Sequence, residues 1–334
     1  MASPPNLPAT IIRLAHAAYP SMAMLAGMQL DVFTPLKDGP LPCQAIAEAI
    51  GVKPEKLGPL LYALAQAGLL TVEGGAFANT QEADHFLVRG RPAYMGSAHE
   101  LFADLWAAAL GVARSIRAGA PHAKHDFAAM SDEELGGFFR GLHPSALATG
   151  RQLAATEGFS GVRNLLDVGG GSGGLAIGAC QAMPALRAAV AELPRVAPIA
   201  RSFVAEAGLT DRIQVFDLDV AERTPGDRFE AAVLRNLIQV LSPDQARPVL
   251  RNVGAAVVPG GTITIVGHVL QDSRTAPETA VGINLVFLSV YEAGQAYTEG
   301  EHRAWLAEAG FGEIEIRYGA GPGGTSIVTA RKVR

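Results

Sequence analysis

Apolar residues recur at helical spacing through the first half of the chain. The pattern is present in residues 11–28, 42–50 and 101–117, and residues 55–67 place four leucines on one helix face. Gly68 follows the last of these leucines and is expected to end that helix. The pattern therefore predicts that the first half of the chain is mostly helical.

A Gly-Gly pair after this helix indicates a tight turn between two short strands. Residues 69–77 hold two short apolar runs around Gly74 and Gly75, which predicts a two-stranded wing. Helix, turn, helix and wing together are typical of a winged-helix domain. A DNA-reading helix brings several basic or amide side chains to the bases and phosphates, whereas residues 55–67 contain one basic residue, Lys56. We therefore interpret this domain as a structural, dimer-forming module.

From about residue 160 onward, short apolar runs alternate with helical segments. The predicted strands are residues 164–168, 188–191, 213–216, 231–235, 262–266, 314–318 and 326–330. The predicted helices between them are residues 175–182, 196–207 and 243–257. This alternation is typical of an α/β fold with a Rossmann-like, doubly wound sheet. We predict a helical winged-helix dimerisation domain at residues 1–160 and a Rossmann-like catalytic domain at residues 161–334.

Composition and charge restrict the possible functions. The 334 residues are 49% hydrophobic and 18% charged, which is enough apolar material for two domain cores. The net charge of -5 argues against a general nucleic-acid binder, because phosphate neutralisation needs a basic face. Cys43 and Cys180 lie far apart and form no CxxC motif, so no disulfide scaffold is expected. His122 and His125 have the spacing of a metal-binding pair but no evident third ligand, and we expect no metal.

No segment of the sequence is typical of a membrane span. The apolar stretch 17–30 contains Pro20 and is followed by Asp31, and it falls short of the roughly 20 apolar residues that a span requires. The first ten residues contain three prolines and no basic residue, unlike a secretory signal peptide. We therefore expect a soluble, cytoplasmic protein without a membrane or nucleic-acid partner.

The most informative motif is a glycine-rich loop, residues 167–173, at the carboxyl end of the first predicted strand. Ligands bind at that end of a doubly wound sheet, and glycine lets the backbone approach them closely. NAD-binding proteins share such loops, but there the loop cradles a pyrophosphate, whose charge Asp167 would oppose. A ligand with an ammonium and a sulfonium group suits Asp167 better. Glu192 follows the second strand, where it could bind ribose hydroxyls, and Asp219 and Val220 follow the third, where they could meet an adenine.

These features resemble the class I S-adenosylmethionine-dependent methyltransferases. More narrowly, the chain resembles the caffeate/hydroxyindole-type O-methyltransferase family, whose members carry an N-terminal winged-helix dimerisation domain. The resemblance covers nearly the whole chain and rests on residues 164–173, 234–236, 258–261 and 301–311. It implies the cofactor S-adenosyl-L-methionine, a small-molecule methyl acceptor and a homodimer formed through the N-terminal domain. It also implies which residues contact the cofactor. The methionine part would contact Asp167, Gly169 and Gly171, and the ribose would contact Glu192. The adenine would contact Asp219 and Val220, and Arg235 would lie beside the cofactor.

The sequence departs from this family at the general base. O-methylating members carry a His after the fourth strand, usually followed two residues later by Trp, and here Gln239 and Leu241 stand at those positions. Gly267 replaces the acidic residue that orients the His. His268 lies one position further, where it is expected to point to the other face of the strand, and it is the alternative base. A misaligned motif and an inactive enzyme are two further interpretations.

The missing base changes which acceptor atom we expect. A hydroxyl must lose a proton, for which general-base help contributes about 10²–10⁴ in rate, whereas a thioether sulfur carries no proton. We therefore predict S-methylation of a small thioether acid such as 4-methylthio-2-hydroxybutyrate, with Gln239 serving only to position groups. In this respect the chain is similar to the methylthiohydroxybutyrate S-methyltransferases of bacterial dimethylsulfoniopropionate synthesis. The open alternatives are O-, N- or C-methylation of a natural product or tetrapyrrole, non-methylating chemistry with the same cofactor, and a winged-helix regulator.

The family resemblance also indicates the walls of the acceptor pocket. Arg140 and His143 are candidates to hold a carboxylate, because a charge-assisted hydrogen bond would fix a small acid. Aromatic rings near the reacting sulfur would stabilise a product sulfonium by cation–π attraction. The candidate acceptor residues are Trp106, Phe138, Phe139, Arg140, Leu142, His143, Asn284, Phe287, Leu288, Tyr291 and Tyr297.

Overall fold

The structure of the chain, a computed structural model, describes residues 8–124, 126–127, 129–226 and 228–333. By contact, the chain divides into two units, Met1–Leu105 and Trp106–Arg334. The division falls inside the helix His99–Leu110, so residues 106–160 lie in the second unit, although their composition grouped them with the first domain. The boundary at residue 160 between a dimerisation domain and a catalytic domain stays a prediction.

The first unit builds a small core around the predicted helix-turn-helix and wing. Leu61 and Leu64 are fully buried together with Phe33, Ile46 and Phe77. The predicted wing forms two antiparallel strands, and a short strand before them adds a third in the order β1-β3-β2. The elements are α1 (Ala9–His16), α2 (Ala18–Gln29), β1 (Leu41–Pro42), α3 (Cys43–Ile50), α4 (Pro54–Gln66), β2 (Leu70–Glu73), β3 (Ala76–Asn79) and α5 (Gln81–Leu87).

The second unit contains the predicted alternation of strands and helices. Its elements, starting with the helix that crosses the division, are α6 (His99–Leu110), α7 (Val112–Ala118), α8 (Asp132–Ala154), β4 (Asn164–Val168), α9 (Gly174–Ala182), β5 (Arg187–Glu192), α10 (Ala197–Glu206), β6 (Ile213–Asp217), β7 (Phe229–Arg235), α11 (Pro243–Ala256), β8 (Val257–Gly267), β9 (Val269–Leu270), α12 (Glu278–Val290), β10 (Tyr297–Thr298), α13 (Glu299–Glu308), β11 (Phe311–Arg317) and β12 (Ser326–Lys332). All seven strands predicted for this half are present: β4 has the predicted bounds, β11 begins three residues earlier and ends one residue earlier than predicted, and the other five are longer than predicted.

The seven strands form one sheet in the order β11-β12-β8-β7-β4-β5-β6. Strands β4 to β8 are parallel to one another, whereas β12 is antiparallel to both of its neighbours, β8 and the edge strand β11. The chain leaves β4 toward β5 on one side and later returns to β7 on the other, so β4 and β7 flank the topological switch point. Ligands bind beyond the carboxyl ends of the strands at such a point, which is where the glycine loop lies.

Two predicted helices are each broken in two. The helix expected over residues 11–28 is α1 and α2, because Pro20 lacks the N–H that would continue the hydrogen-bond ladder, and α2 begins with Pro20 in its first turn. The helix expected over residues 101–117 is α6 and α7, separated at Gly111. The ring of His122 lies so close to Gly111 that a Cβ there would overlap it, which requires glycine at the break.

Helices α8 and α9 touch along their backbones through a reciprocal pair of glycines. A Cβ on Gly150 of α8 would overlap the carbonyl of Leu175, and a Cβ on Gly178 of α9 would overlap the carbonyl of Leu147. Because α9 begins at the glycine loop, this contact holds α8 directly beside that loop. No helix in the described part of the chain is long and apolar enough to cross a bilayer.

Candidate active site

The glycine loop takes backbone conformations that favour glycine. After β4 ends at Val168, Gly169 and Gly171 have φ angles of 62° and 58°, and α9 follows. Gly170 is restricted to glycine by lack of space and not by its backbone angle, because a Cβ there would lie 2.8 Å from the Asp167 carboxyl group. The loop therefore presents backbone without side chains at the carboxyl end of β4, where a ligand can approach it closely.

Two buried carboxyl groups flank this loop. Asp167 is 1% exposed, and its Oδ2 accepts a hydrogen bond of 3.2 Å from the backbone N–H of Ala176. Burial raises the pKa of Asp167 to about 7. Glu192 Oε2 accepts from the N–H of Gly171 at 2.7 Å and Oε1 from that of Leu193 at 2.8 Å, yet burial still raises the pKa of Glu192. The protein therefore does not fully offset the desolvation of these two carboxylates, and a cationic or hydroxyl-bearing ligand would offset it.

The other predicted cofactor residues lie at the neighbouring strand ends. Asp219 Oδ1 accepts from the N–H of Ala221 at 2.8 Å, and Val220 is buried in the core of the sheet. Leu218 follows β6 and donates its N–H to the carbonyl of Glu192 at 2.8 Å, which joins the two predicted ribose and adenine segments. The structure therefore brings Glu192, Asp219 and Val220 to one region beyond β5 and β6.

Arg235, at the end of β7, is anchored by helix α8. Its Nε donates to Thr149 Oγ1 at 3.1 Å and its Nη2 donates to Ser145 Oγ at 2.8 Å. Burial lowers the pKa of Arg235, while the nearby carboxyl of Asp167 raises it. The two hydroxyls were not identified from the sequence, because nothing in the α8 segment marks them as partners of a residue more than 80 positions later.

Helix α8 also covers the glycine loop. The Phe139 ring is so close to Gly171 that a Cβ on the glycine would lie 2.8 Å from it. His143 Nδ1 is 2.9 Å from Ser172 Oγ, and the His143 ring stacks on Phe203 of α10 at 4.2 Å between centroids. Phe139 and His143, proposed from the sequence as acceptor residues, thus contact the loop. Burial lowers the pKa of His143.

The remaining acceptor candidates on α8 and α6 are less tightly placed. The exposed Arg140 holds its guanidinium 5.3 Å from the centre of the Phe203 ring. Phe138 contacts the rings of Phe127 and Phe139, and Trp106 and Leu142 are half-buried. Arg140 and His143 contact α10 and the glycine loop, so the binding of a substrate carboxylate by these two residues stays a prediction.

Gln239 occupies a fixed place where the family carries its base. It is 6% exposed, its Nε2 donates to Asn236 Oδ1 at 3.3 Å, and its Oε1 accepts the backbone N–H of His268 at 3.4 Å. A Cβ at Gly267 would lie 2.5 Å from that Oε1. The glutamine amide therefore fills the space that a side chain at 267 would need, and the two departures from the family pattern are sterically coupled.

This coupling gives a stability prediction. Gly267→Ala is expected to destabilise the fold by about 1–3 kcal/mol, because the new methyl group overlaps the buried Gln239 amide. Thermal or urea unfolding checks the change. The double variant Gly267→Ala/Gln239→Ala should recover most of the loss relative to Gln239→Ala alone, and simple additivity of the two losses would contradict the coupling.

Three rings form a continuous surface beside Gln239, which we call the acceptor wall: His268, Phe287 and Tyr291. The centroids of His268 and Phe287 lie 5.9 Å apart, and those of Phe287 and Tyr291 lie 5.0 Å apart. Tyr291 and Leu288 also line a cavity of about 350 Å³ together with Ser115 and other residues of the α7–α12 region. The wall therefore joins the residue-239 region to this cavity.

The two other candidates from the same segment have structural partners. Asn284 Oδ1 accepts the backbone N–H of Ala296 at 2.7 Å, which ties α12 to the approach to β10. The hydroxyl of Tyr297 donates to the carbonyl of Leu241 at 2.5 Å, and its ring packs against Trp305. Tyr297 is fully buried and belongs to the core of the sheet.

The site is marked neither by a metal cluster among the described residues nor by the cavity of about 550 Å³ described below. Among the described residues, no group of three or more His, Cys, Asp or Glu could hold a metal ion. His122 Nδ1 lies 2.8 Å from Ser115 Oγ, and His125 lies outside the described residues. A cavity of about 550 Å³ lies at the amino ends of the strands, lined by Arg163 and Arg187 among others, so it is at the edge opposite the glycine loop.

Comparison with known proteins identifies the family. Residues 104–312 match the family profile of the O-methyltransferase domain, and residues 12–89 match that of the O-methyltransferase dimerisation domain. The chain belongs to the O-methyltransferase family. This O-methyltransferase is 30% identical to the 3-hydroxy-5-methyl-1-naphthoate 3-O-methyltransferase of Streptomyces sahachiroi over 97% of this chain and 95% of the relative. It is 31% identical to the acetylserotonin O-methyltransferase of Mus musculus over 93% of this chain and 86% of the relative.

The fold agrees with that assignment. Human N-acetylserotonin methyltransferase in complex with S-adenosylmethionine superposes with a TM-score of 0.80 at 22% identity, and the match covers 100% of both chains. The protein is an S-adenosylmethionine-dependent methyltransferase. Its loop fits that cofactor, because the side-chain-free backbone at Gly169 and Gly171 lies between two undercompensated carboxyl groups, Asp167 and Glu192. The contact of each residue with a part of the cofactor stays a prediction.

Proposed function

We propose that this methyltransferase modifies a small molecule without a general base at residue 239. The observation that carries the proposal is the Gln239 amide, whose oxygen and nitrogen are both hydrogen-bonded within the protein. An amide does not accept a proton at neutral pH, and the carboxylate that would support a base is absent at Gly267. The acceptor atom is therefore one that reacts without losing a proton to this position.

In its sharpest form, the proposal is S-methylation of a small thioether acid such as 4-methylthio-2-hydroxybutyrate. A thioether sulfur has a free lone pair and no proton, so alignment with the methyl donor is the main requirement. The rings of Phe287 and Tyr291 would lie close enough to a new sulfonium to stabilise it by cation–π attraction. The proposal is supported by the absence of a base at Gln239 and by the aromatic surface of the acceptor wall.

A second candidate is O-methylation of a hydroxylated aromatic compound. It is favoured by the relatives, because the enzyme of Streptomyces sahachiroi is named for an O-methylation of a naphthoate at 30% identity. The same rings that suit a sulfonium would pack against an aromatic acceptor. On this candidate the hydroxyl proton leaves by a route other than Gln239.

In this proposal, one set of residues binds the cofactor and another holds the acceptor in place. We propose that Asp167, Gly169, Gly171, Glu192, Asp219, Val220 and Arg235 bind the cofactor, which supplies an electrophilic methyl group when bound. Gln239 holds the backbone of His268, and through it the acceptor wall, at a fixed distance from the strand ends. The catalytic contribution of the protein is then proximity and orientation, which can account for a large share of a methyl-transfer rate.

We further propose that the protein is a homodimer formed through the N-terminal region. Residues 12–89 match the dimerisation domain of the family. Helices α1 and α2 of the first unit expose Ile11 (70%), Leu14 (58%) and Tyr19 (64%), a cluster of apolar side chains for which a second copy is the natural cover.

A methyl-transfer assay on the purified protein tests the proposed function. Formation of S-adenosylhomocysteine is followed by mass spectrometry with 4-methylthio-2-hydroxybutyrate, methionine, 3-methylthiopropionate and catechol as acceptors. Turnover of a thioether without turnover of catechol supports S-methylation. Turnover of catechol alone supports the aromatic candidate and contradicts S-methylation, and a protein that binds cofactor but methylates none of the four contradicts both.

The role assigned to Gln239 gives a kinetic prediction. Gln239→Ala is expected to lower kcat by less than about 10²-fold, which is below the range that loss of a general base produces. Steady-state kinetics with the accepted substrate check this, with cofactor affinity measured on the same sample as the control for folding. A loss of 10³-fold or more with unchanged cofactor affinity would mean that Gln239 acts directly on the reacting atoms.

A further inference from the structure

One polar atom of the acceptor wall is buried without a partner. Nδ1 of His268 has no hydrogen-bond partner among the described residues, although it is closed off from solvent. The backbone N–H of the same residue is used, because it donates to Gln239 Oε1 at 3.4 Å. A buried polar atom left unpaired destabilises a fold, so such an atom in a site calls for an explanation.

The surroundings of this ring are apolar and uncharged. Phe287 lies against it at 5.9 Å in an edge-to-face arrangement, and Tyr291 is next along the wall. Burial alone lowers the pKa of His268 to about 4, with no charged group contributing. Burial raises the pKa of Tyr291, the titratable group of the neighbouring helix end, to about 12. Both side chains are therefore neutral at pH 7, and the imidazole carries one proton between its two nitrogens.

We propose that Nδ1 of His268 binds a hydroxyl group of the methyl acceptor and makes the enzyme selective for hydroxyl-bearing molecules. This inference rests on the proposed function, since it assumes that the acceptor lies on the acceptor wall. A neutral imidazole nitrogen donates or accepts according to its tautomer, and a hydroxyl group can satisfy either one. A carboxylate in direct contact with Nδ1 would be desolvated without an opposite charge, so the carboxylate of a 2-hydroxy acid is placed pointing away from the wall.

The same surroundings determine what His268 does to that hydroxyl. A ring that resists protonation orients the hydroxyl by a hydrogen bond and does not retain its proton. His268 is therefore a specificity-determining residue, and its effect depends on which acceptor is offered. It differs from the family's base position, which Gln239 occupies.

Access to Nδ1 requires a movement of the wall. Phe287 is 4% exposed and lies edge-to-face with the His268 ring, whereas Leu288 and Tyr291 line the cavity of about 350 Å³. We infer that the acceptor reaches Nδ1 from the side of this cavity, and that the Phe287 side chain moves to admit it. Binding then exchanges an unpaired buried nitrogen for a hydrogen-bonded one, which favours an acceptor that carries the matching group.

Matched acceptor pairs test the inference. The pairs are 4-methylthio-2-hydroxybutyrate with 4-methylthiobutyrate, and catechol with phenol. The wild-type protein should prefer the member with the additional hydroxyl by at least about 10-fold in kcat/KM. His268→Phe should lose this preference by lowering kcat/KM for the hydroxylated member only. His268→Asn, which keeps a polar nitrogen near the same place, should retain much of it.

A spectroscopic readout separates binding from packing. In ¹⁵N-histidine-labelled protein that holds S-adenosylhomocysteine, the hydroxylated acceptor should shift the Nδ1 resonance of His268, and the other member of the pair should not. His85→Phe, the same replacement at an exposed histidine of the first unit, is the control and should leave the preference unchanged.

Each outcome has a defined meaning. If His268→Phe lowers kcat/KM equally for both members of a pair, or leaves the preference intact, the inference is wrong while the proposed function stands. If the wild-type protein neither binds nor methylates a member of either pair, the proposed function is wrong and the inference falls with it.

Discussion

Asp167→Asn is expected to weaken cofactor binding by about 10- to 100-fold at pH 8, because a charge-assisted hydrogen bond contributes roughly 1.5–3 kcal/mol. The ionised carboxylate lies beside the glycine loop, where the ammonium and sulfonium groups of the cofactor are proposed to bind. Asparagine keeps the shape of the side chain and can still accept the hydrogen bond from Ala176. Isothermal titration calorimetry with S-adenosylmethionine measures the difference, and unchanged affinity would contradict the assignment of the loop.

The pH dependence makes this prediction more specific. Because burial raises the pKa of Asp167 to about 7, the native state without cofactor binds a proton that the unfolded chain has already lost. The contribution of Asp167 to stability is therefore fully present below about pH 4 and is lost as the pH rises to about 7. Asp167→Asn should be at least as stable as wild type at pH 8, so weaker binding there would not come from unfolding.

The affinity ratio of wild type to Asp167→Asn should grow between about pH 5.5 and pH 8, as the wild-type carboxyl ionises. The amino group of the free cofactor titrates equally in both measurements, so its free-state titration cancels in the ratio. Asp211→Asn, at an exposed position near the opposite end of the sheet, is the control and should match wild type throughout. A ratio that stays constant over this range would show that the charge of Asp167 does not contribute to binding.

Gly171→Ala is expected to reduce cofactor affinity by a similar or larger factor, at least about 10-fold, for two separable reasons. Its φ of 58° is costly for a residue with a Cβ, and that Cβ would lie 2.8 Å from the Phe139 ring. Relief of either strain moves the loop away from the shape that binds the ligand. Calorimetry gives the affinity, and thermal unfolding shows how much stability is lost with it.

A second substitution separates the two causes. Phe139→Ala removes the ring that the new methyl group would meet but leaves the backbone angle at Gly171 unchanged. Gly171→Ala/Phe139→Ala should therefore regain part of the stability lost by Gly171→Ala, while affinity stays below that of Phe139→Ala alone. Full recovery of affinity would mean that the contact with Phe139, and not the backbone conformation, is what requires glycine.

The fold of the second unit could be predicted because its signals are local. Each strand of the parallel sheet is a short apolar run, and Asn164–Val168 is followed at once by the glycines that turn the chain into α9. Helix breaks were harder to predict. Gly111 lies inside an apolar helical pattern, and the close approach that requires glycine there is made by the ring of His122, eleven residues later in the chain.

The site residues also differ in whether a local sequence signal could place them. Asp167 lies at the end of a predicted strand, and Glu192 and Asp219 follow two others, so their placement at one edge of the sheet follows from topology. Phe139 and His143 were placed on the acceptor side, but their contacts to Gly171 and Ser172 depend on how α8 packs, which no local pattern reveals. The coupling of Gln239 to Gly267 was likewise visible in the sequence only as two separate departures from a family pattern.

The reciprocal glycines of α8 and α9 restrict how the cofactor can enter. With Gly150 and Gly178 against opposing carbonyls, the two helices have no side-chain layer between them on which to slide or tilt. Helix α8, which covers the glycine loop, and helix α9, which begins at that loop, therefore move as one rigid body. Opening by a hinge of α8 would have to separate two backbones in direct contact, whereas turning the single side chain of Phe139 would not. Cofactor exchange is then expected to be governed by the rotation of one aromatic ring, and a smaller residue at 139 should speed release far more than it weakens the fold.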